Sequence, residues 1–453
     1  MSRRALDKGR DTSKNEIVLI FGLECILTDY QASRLQAVRL WSLIRSGVFA
    51  VAVAASASCS QEPNVTAAPG ASLQERFQIT LDALRDKHGF PGATAAYVLP
   101  DGSTGVAATG LADVENEIPM SKESRMLAAS VGKSFVAATV LALAQEGRLD
   151  LDDRLSKYLG QRPWFPRLPN HEQITIRHLL THSAGLPDHV YLDEFAEAFS
   201  EHWREPGNPF PPEKLVEFIL DKPALSEPGE EWSYSDTGYI LLGLVIEGVT
   251  EHSYYDEVTR RFLEPLHLDY TAPSNSRELP GIAAGYTGKG NSVGFSQFLP
   301  EKTTVAPGVM AWNPAVEWTG GGLVSHPQDL VLWAKALYEG EAMPGDYQED
   351  LFDSVPVVGI VLRLIVGGIR YGAGVGIYER GPLGPTYGHG GGIPGYTSSM
   401  RYYPEHRIAV AFQVNTDIEA DEFTSDLEET LAELVVSHAR SNDDALASRR
   451  NLP

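Results

Sequence analysis

The stretch that most constrains the fold is the run Val136 to Ala144, small and apolar apart from Thr139, with no proline until well past Gly147. It is rich in Ala and Leu, and its composition predicts a buried helix closed by Gly147 at its C-terminal end. The run continues directly from Leu127-Ala-Ala-Ser130-Val-Gly-Lys133-Ser-Phe135. Ser130 is therefore expected at the start of a helix and Lys133 one turn later. Residues three apart share a helix face, so the ammonium can reach the hydroxyl. A helix N-terminus also favours negative charge developing nearby. A nucleophile, a candidate base and a favourable field thus fall in four residues. An isolated Ser-x-x-Lys is more often a helix cap beside a solvated lysine, so the case for chemistry depends on the rest of the chain.

The chain has 453 residues, enough for one large or two intimate domains. Its formal net charge of −23 argues against binding nucleic acid or an anionic membrane through general electrostatics. The two cysteines, Cys25 and Cys59, both lie near the N-terminus, so the remainder has neither a disulfide framework nor a thiolate metal site. There is no zincin signature, phosphate loop or dinucleotide fingerprint, and neither a metal nor a cofactor is expected.

Residues 1–59 read as an N-terminal extension ending in a secretion signal. Arg39 and Arg45 precede the apolar run Gly47 to Ala55, which is too short to span a bilayer, and Ala55-Ser-Ala57 forms a cleavage site. Cys59 resembles the lipidated cysteine of a bacterial lipoprotein, although Ser56 stands where leucine is usual. The expected product is exported, periplasmic or extracellular, with Cys59 a candidate lipid anchor. A linker follows over 60–71. Ser72-x-x-Glu75 forms a capping box opening a helix with Leu73, Phe77, Leu81 and Leu84 on one face. Ala93 to Leu99 and Thr104 to Ala108, joined through Asp101-Gly102, predict a β-hairpin. Residues 161–300 carry proline-rich loops between short helical segments and read as a helical insertion. A helix over Pro327 to Tyr338, strands over Thr397 to Tyr403 and Ile408 to Asn415, and an amphipathic helix bearing Phe423, Leu427, Leu431 and Leu434 complete the pattern. The expected architecture is α/β (α+β): an antiparallel sheet built from both chain ends and flanked by terminal helices. The main domain covers 72–440, with its sheet part in 72–160 and 301–440, and a disordered tail is expected over 441–453.

Two further motifs follow the Ser130 stretch: Trp232-Ser-Tyr234-Ser-Asp236-Thr-Gly238 and Tyr387-Gly-His389-Gly390-Gly391-Gly392. Alone, the first is usually a helix-capping turn and the second a flexible loop. Together and in this order they resemble the penicillin-recognising serine hydrolases, which include class C β-lactamases, D-alanyl-D-alanine carboxypeptidases, esterases and D-aminopeptidases. Leu179 to Pro187, Glu227 to Trp232 and Gly320 to Ser325 look like the same family, and the likeness covers roughly residues 73–440.

The resemblance implies the β-lactamase/D,D-peptidase fold and a hydrolase forming an acyl-serine on Ser130. Lys133 and Tyr234 are the two candidate bases. A cationic Lys133 would lower the Tyr234 pKa by proximity, making the phenolate the base. Ser130 N–H and, by family position, Gly392 N–H would form the oxyanion site on an edge strand. Asp236, His389, Gly390 and Gly391 fall at substrate-binding positions. Asp236 replaces the family's usual Asn and cannot donate an amide hydrogen bond. His389 replaces the lysine of many β-lactamases, and its charge is expected to vary near neutral pH. Both departures favour a carboxypeptidase-like or esterase-like activity on a small ester, amide or peptidoglycan-type peptide. A class C-type β-lactamase and a non-catalytic penicillin-binding-like envelope protein are the alternatives.

Overall fold

A computed structural model describes residues 70–203, 210–288, 298–357 and 368–450. The extension and secretion signal over 1–59, Cys59 and most of the 60–71 linker lie outside the described residues, as do 451–453.

Ser72 opens the first helix, Leu73–His88, with both halves of the capping box formed, and Gly89 closes it in the left-handed conformation. The chain then turns into the hairpin of β1 (Gly92–Val98) and β2 (Thr104–Asp113). A short β3 (Ile118–Pro119) pairs with β2. Two small ladders hold the chain near the middle of the fold. One joins β4 (Met126–Leu127), β5 (Ala272–Pro273) and β8 (Leu323–Ser325); the other joins β6 (Thr304–Ala306) and β7 (Val309–Met310). The main sheet is completed by β9 (Val355–Pro356), β10 (Ile369–Tyr371), β11 (Gly376–Tyr378), β12 (Thr386–Ile393), β13 (Tyr396–Tyr403) and β14 (Ile408–Val414). Its nine strands run β3-β2-β1-β14-β13-β12-β11-β10-β9. The first and last long strands are therefore central neighbours, paired antiparallel from Ala93↔Val414 to Val98↔Ala409.

Side-chain alternation makes this sheet the middle layer. Ala93, Ala95, Tyr97, Val410 and Phe412 face one cluster, which also holds Phe77, Leu81, Leu427 and Leu431 of the two terminal helices. Ala96, Val98, Ala409 and Ala411 face the other cluster, with the central helices. On that second face the helix Pro327–Tyr338 packs on β1, β13 and β14. The terminal helices are tied by Asp426, which accepts from Lys87 Nζ at 2.7 Å and meets His88 Nε2 at 2.6 Å.

The structure departs from the expectations in three places. The helix of the apolar run begins at Lys133, and Ser130 lies in a 3-10 turn, Ala129–Gly132, ahead of it. The strand carrying His389 is an edge over only part of its length, because β11 pairs with Thr386 to Gly388 and, among the described residues, no strand pairs with the following ones on that side. The final helix runs Ala420–Arg450, so the first ten residues of the expected disordered tail are helical. Seven of those ten residues are polar, and polarity alone does not end a helix that contains no Gly or Pro after Ala420.

Candidate active site

The site is built on the turn Ala129–Gly132. Ala129, immediately before Ser130, adopts φ +48°, uncommon for a residue with a Cβ. Lys133, fully buried, reaches back one turn to Ser130 Oγ at 3.0 Å. Its Nζ also donates to Asp236 Oδ1 and to the Gly320 carbonyl. An ammonium has three N–H donors, and here each has an acceptor.

Tyr234 completes the group. Lys133 Nζ stands 4.8 Å from its ring centroid, and its phenol is near enough to the Ser130 hydroxyl for that hydroxyl to favour the ionised form. The Ser130 oxygen thus lies between the two candidate bases. Burial, and then the charge of Asp236, push the Tyr234 pKa well above 10.0. The phenolate expected from the sequence is not the resting form. Asp236, expected to favour Tyr234 as base by holding Lys133 charged, also holds the phenol proton in place.

Asp236 is the first residue of the helix Asp236–Thr250, whose N-cap is Ser235. The loop carrying Tyr234 is clamped by His182. Its carbonyl accepts from Ser233 N–H at 2.8 Å, and its Nδ1 accepts from Ser235 N–H at 3.2 Å. The ring lies 4.1 Å from that of Tyr234. An acceptor Nδ1 must be unprotonated, which agrees with burial driving the His182 pKa well below 6.5.

The triple glycine of β12 closes the other side. A Cβ on Gly391 would come 2.4 Å from Ala128 O and 3.3 Å from Ser130 N, so the strand backbone is pressed on the nucleophile turn. Gly392 is exposed, with no atom within 4 Å of the place its Cβ would take. Gly390 likewise leaves open space, its nearest neighbour being Ser398 O at 4.0 Å. His389 is buried. Its Nδ1 lies 2.5 Å from Gly390 O, an acceptor, so Nδ1 carries the proton and Nε2 accepts from Tyr371 O–H at 2.8 Å. Burial, helped by Lys133, lowers the His389 pKa to about 3. The expectation that its charge varies near neutral pH is thereby corrected: the imidazole stays neutral there.

Sequence motifs missed four supports of this site. Tyr371 fixes His389, and Tyr239, which donates to Leu180 O at 2.8 Å, stacks near His182. Asp188 and Glu317 are buried carboxyls behind Asp236. Asp188 Oδ1 accepts from Val190 N–H at 3.1 Å, and burial, followed by the charge of Asp236, raises its pKa well above 3.8. Burial also pushes Glu317 up to about 8. A proline at 187 and a glycine run at 320–322 were the available signals, and neither identifies a buried acid.

A family model described as Beta-lactamase matches residues 77–434. This chain belongs to the beta-lactamase family. The beta-lactamase-family chain is 28% identical over 353 residues to "Penicillin-binding protein 4*" of Bacillus subtilis (strain 168), covering 76% of this chain and 72% of that protein. Its fold is similar to that of the D-amino acid amidase from Ochrobactrum anthropi SV3 complexed with L-phenylalanine. The TM-score is 0.65 at 25% identity, covering 81% of this chain and 99% of the other. It is also similar to a D-stereospecific amidohydrolase from Streptomyces sp., with TM-score 0.63, 25% identity, and 77% and 98% of the two chains covered. These likenesses make the beta-lactamase-family chain a β-lactamase-fold serine hydrolase by relationship.

Proposed function

We propose that this chain is an exported hydrolase that cleaves small esters or amides through an acyl-Ser130 intermediate, of esterase or carboxypeptidase type. The observation that carries this reading is the Ser130 hydroxyl placed between Lys133 Nζ and the Tyr234 phenol. In the form of the enzyme whose Tyr234–Lys133 pair has lost one proton, Ser130 Oγ attacks the carbonyl carbon and its own proton passes to that pair. The tetrahedral oxyanion is held by Ser130 N–H and a strand glycine N–H. The departing alkoxide or amine takes the proton from the pair. Water then attacks the ester, gives its proton to the pair, and Ser130 recovers a proton as the acid product leaves.

The neutral His389 bears on the choice within that class. A substrate carboxylate, as in a penicillin or a D-alanyl-D-alanine peptide, gains no charge contact from it. Esters, and amides without a free carboxylate, are therefore the favoured substrates. The names of the structural neighbours make amides of D-amino acids the first amides to try. The test is a hydrolysis screen over p-nitrophenyl esters, D-amino acid amides, acyl-D-Ala-D-Ala and nitrocefin, with fluorophosphonate labelling of Ser130. Turnover confined to nitrocefin would make it a β-lactamase. Absence of labelling and turnover would leave the binding-protein alternative.

Export rests on the sequence of residues 39–59. In a bacterial host the mature N-terminus should be Ser58 or Cys59, and a lipid on Cys59 would be seen as added mass. Intact Met1 in the cytoplasmic fraction would overturn export.

A further inference from the structure

Glu317 lies outside every motif, yet it adjoins the groups that hold Lys133. It precedes the 3-10 turn Trp318–Gly320, whose last carbonyl accepts from Lys133 Nζ. Its side chain folds forward under that turn. A Cβ on Gly321 would come 2.1 Å from Glu317 Oε1 and 2.4 Å from Ala129 O, so the carboxyl fills the space a side chain at 321 would need. Oε2 is buried, with no hydrogen-bond partner among the described residues, and the nearby Gly322 backbone favours the ionised carboxyl. The backbone around it is bent into unusual conformations, with Trp318 at φ +39° and Gly322 at φ +38°. A tryptophan persists there only where its surroundings over-determine the turn.

We propose that Glu317 is a positioning residue for the Ser130–Lys133 pair: packed in the gap left by Gly321, its carboxyl fixes the turn that holds the Gly320 carbonyl on Lys133 Nζ. This rests on the acyl-serine reading above.

The placement also couples Glu317 to the charge of the site. The groups facing it are Lys133 on the nucleophile helix, Asp236 on the helix Asp236–Thr250, and Tyr254 and Tyr255 on the helix Tyr254–Val258. Burial holds its proton until about pH 8. Below that, Lys133 has one carboxylate partner, Asp236. Above it, a second negative charge arrives beside Lys133, in the site it shares with Tyr234, and disfavours any further negative charge there. Whichever of the two is the base, ionised Glu317 opposes its activation.

Two substitutions test this. Glu317→Gln keeps the shape and cannot ionise; Glu317→Ala removes the support. Rates are measured on a p-nitrophenyl ester between about pH 6 and about pH 10, per Ser130 site titrated with fluorophosphonate, so that unfolded protein does not count. Glu317→Ala should lower kcat by roughly tenfold or more, with KM changed much less, because misplacing a reacting group acts mainly on kcat. Glu317→Gln should keep the high-pH plateau of kcat within about twofold, with its rate rising with pH about one unit earlier than wild type. A wild-type kcat per site in Glu317→Ala, or superimposed pH profiles for wild type and Glu317→Gln, would overturn the assignment alone. A wild type that neither labels at Ser130 nor turns over would overturn the acyl-serine reading and the assignment with it.

Discussion

Gly132 and Gly321 meet backbone to backbone: a Cβ on Gly132 would stand 1.7 Å from the Gly321 carbonyl oxygen. The nucleophile turn and the turn that holds Lys133 are thereby locked at a separation only glycine permits. Gly132→Ala should push them apart by an ångström or so. A displacement of that size at a reacting group lowers kcat by about 100-fold. The rate of fluorophosphonate labelling checks it, with circular dichroism to show that the fold is kept. Labelling at the wild-type rate would mean that the contact is not tight in solution.

Ser130→Ala removes one hydroxyl from a part-buried site and leaves Lys133 with Asp236 and Gly320 as acceptors. Turnover and labelling should fall to background while the melting temperature stays within a few degrees of wild type. Labelling at another serine, located by peptide mass spectrometry, would move the nucleophile.

Asp236 both accepts from Lys133 and holds the proton on Tyr234. Asp236→Asn removes that charge and supplies an amide donor. The rise of rate with pH should begin at lower pH, because less negative charge opposes loss of the Tyr234 proton. One gained hydrogen bond to an acylamino carbonyl is worth about 0.5–1.5 kcal/mol, or roughly 2- to 13-fold, for substrates that carry one. The ratio of kcat/KM for acyl-D-Ala-D-Ala or a cephalosporin to that for a simple ester should therefore increase. An unchanged ratio would show that residue 236 does not face the substrate.

His326 offers a stability test away from the chemistry. It is the N-cap of the helix Pro327–Tyr338, its Nδ1 accepting from Gln328 N–H at 3.1 Å, and its Nε2 is buried with no hydrogen-bond partner among the described residues. Burial lowers its pKa to about 4. The unfolded chain, with the ordinary histidine value of 6.5, binds the proton first, so stability is lost as pH falls from about 6.5 to about 4 and not above. Asn keeps the cap acceptor and does not titrate. Between pH 7 and pH 5, urea unfolding of His326→Asn should show a stability loss smaller than that of wild type by about 2 kcal/mol. Equal losses in the two proteins would show that His326 takes up its proton without unfolding.

The parts of the fold legible in the sequence are those where one local signal decides. The Ser72–Glu75 capping box, the Pro327 helix start and the alternating runs of β13 and β14 each reappear at their expected places. The Ser130–Lys133 contact was legible because its spacing is local. The charge state of the site was not. Nothing in the sequence marks Asp188, Glu317 and His389 as buried, and only their tertiary burial pushes the pKa of the first two up and that of the third down. The phenolate assigned to Tyr234 failed for the same reason, since charge proximity can be guessed from motifs but desolvation cannot.

The pairing of β1 with β14 has a consequence for how the molecule is made. The strand synthesised first waits more than 300 residues for its inner neighbour, β14. Until then one edge of β1 presents unpaired N–H and C=O groups on an apolar backbone, the kind of edge that recruits other chains. Such long-range closure makes folding slow. The hairpin with β2 covers only the opposite edge. A ribosome stalled before residue 408 therefore carries Ser130 and Lys133 but an open sheet, and hydrolytic activity should report completion of the last strand rather than synthesis of the nucleophile.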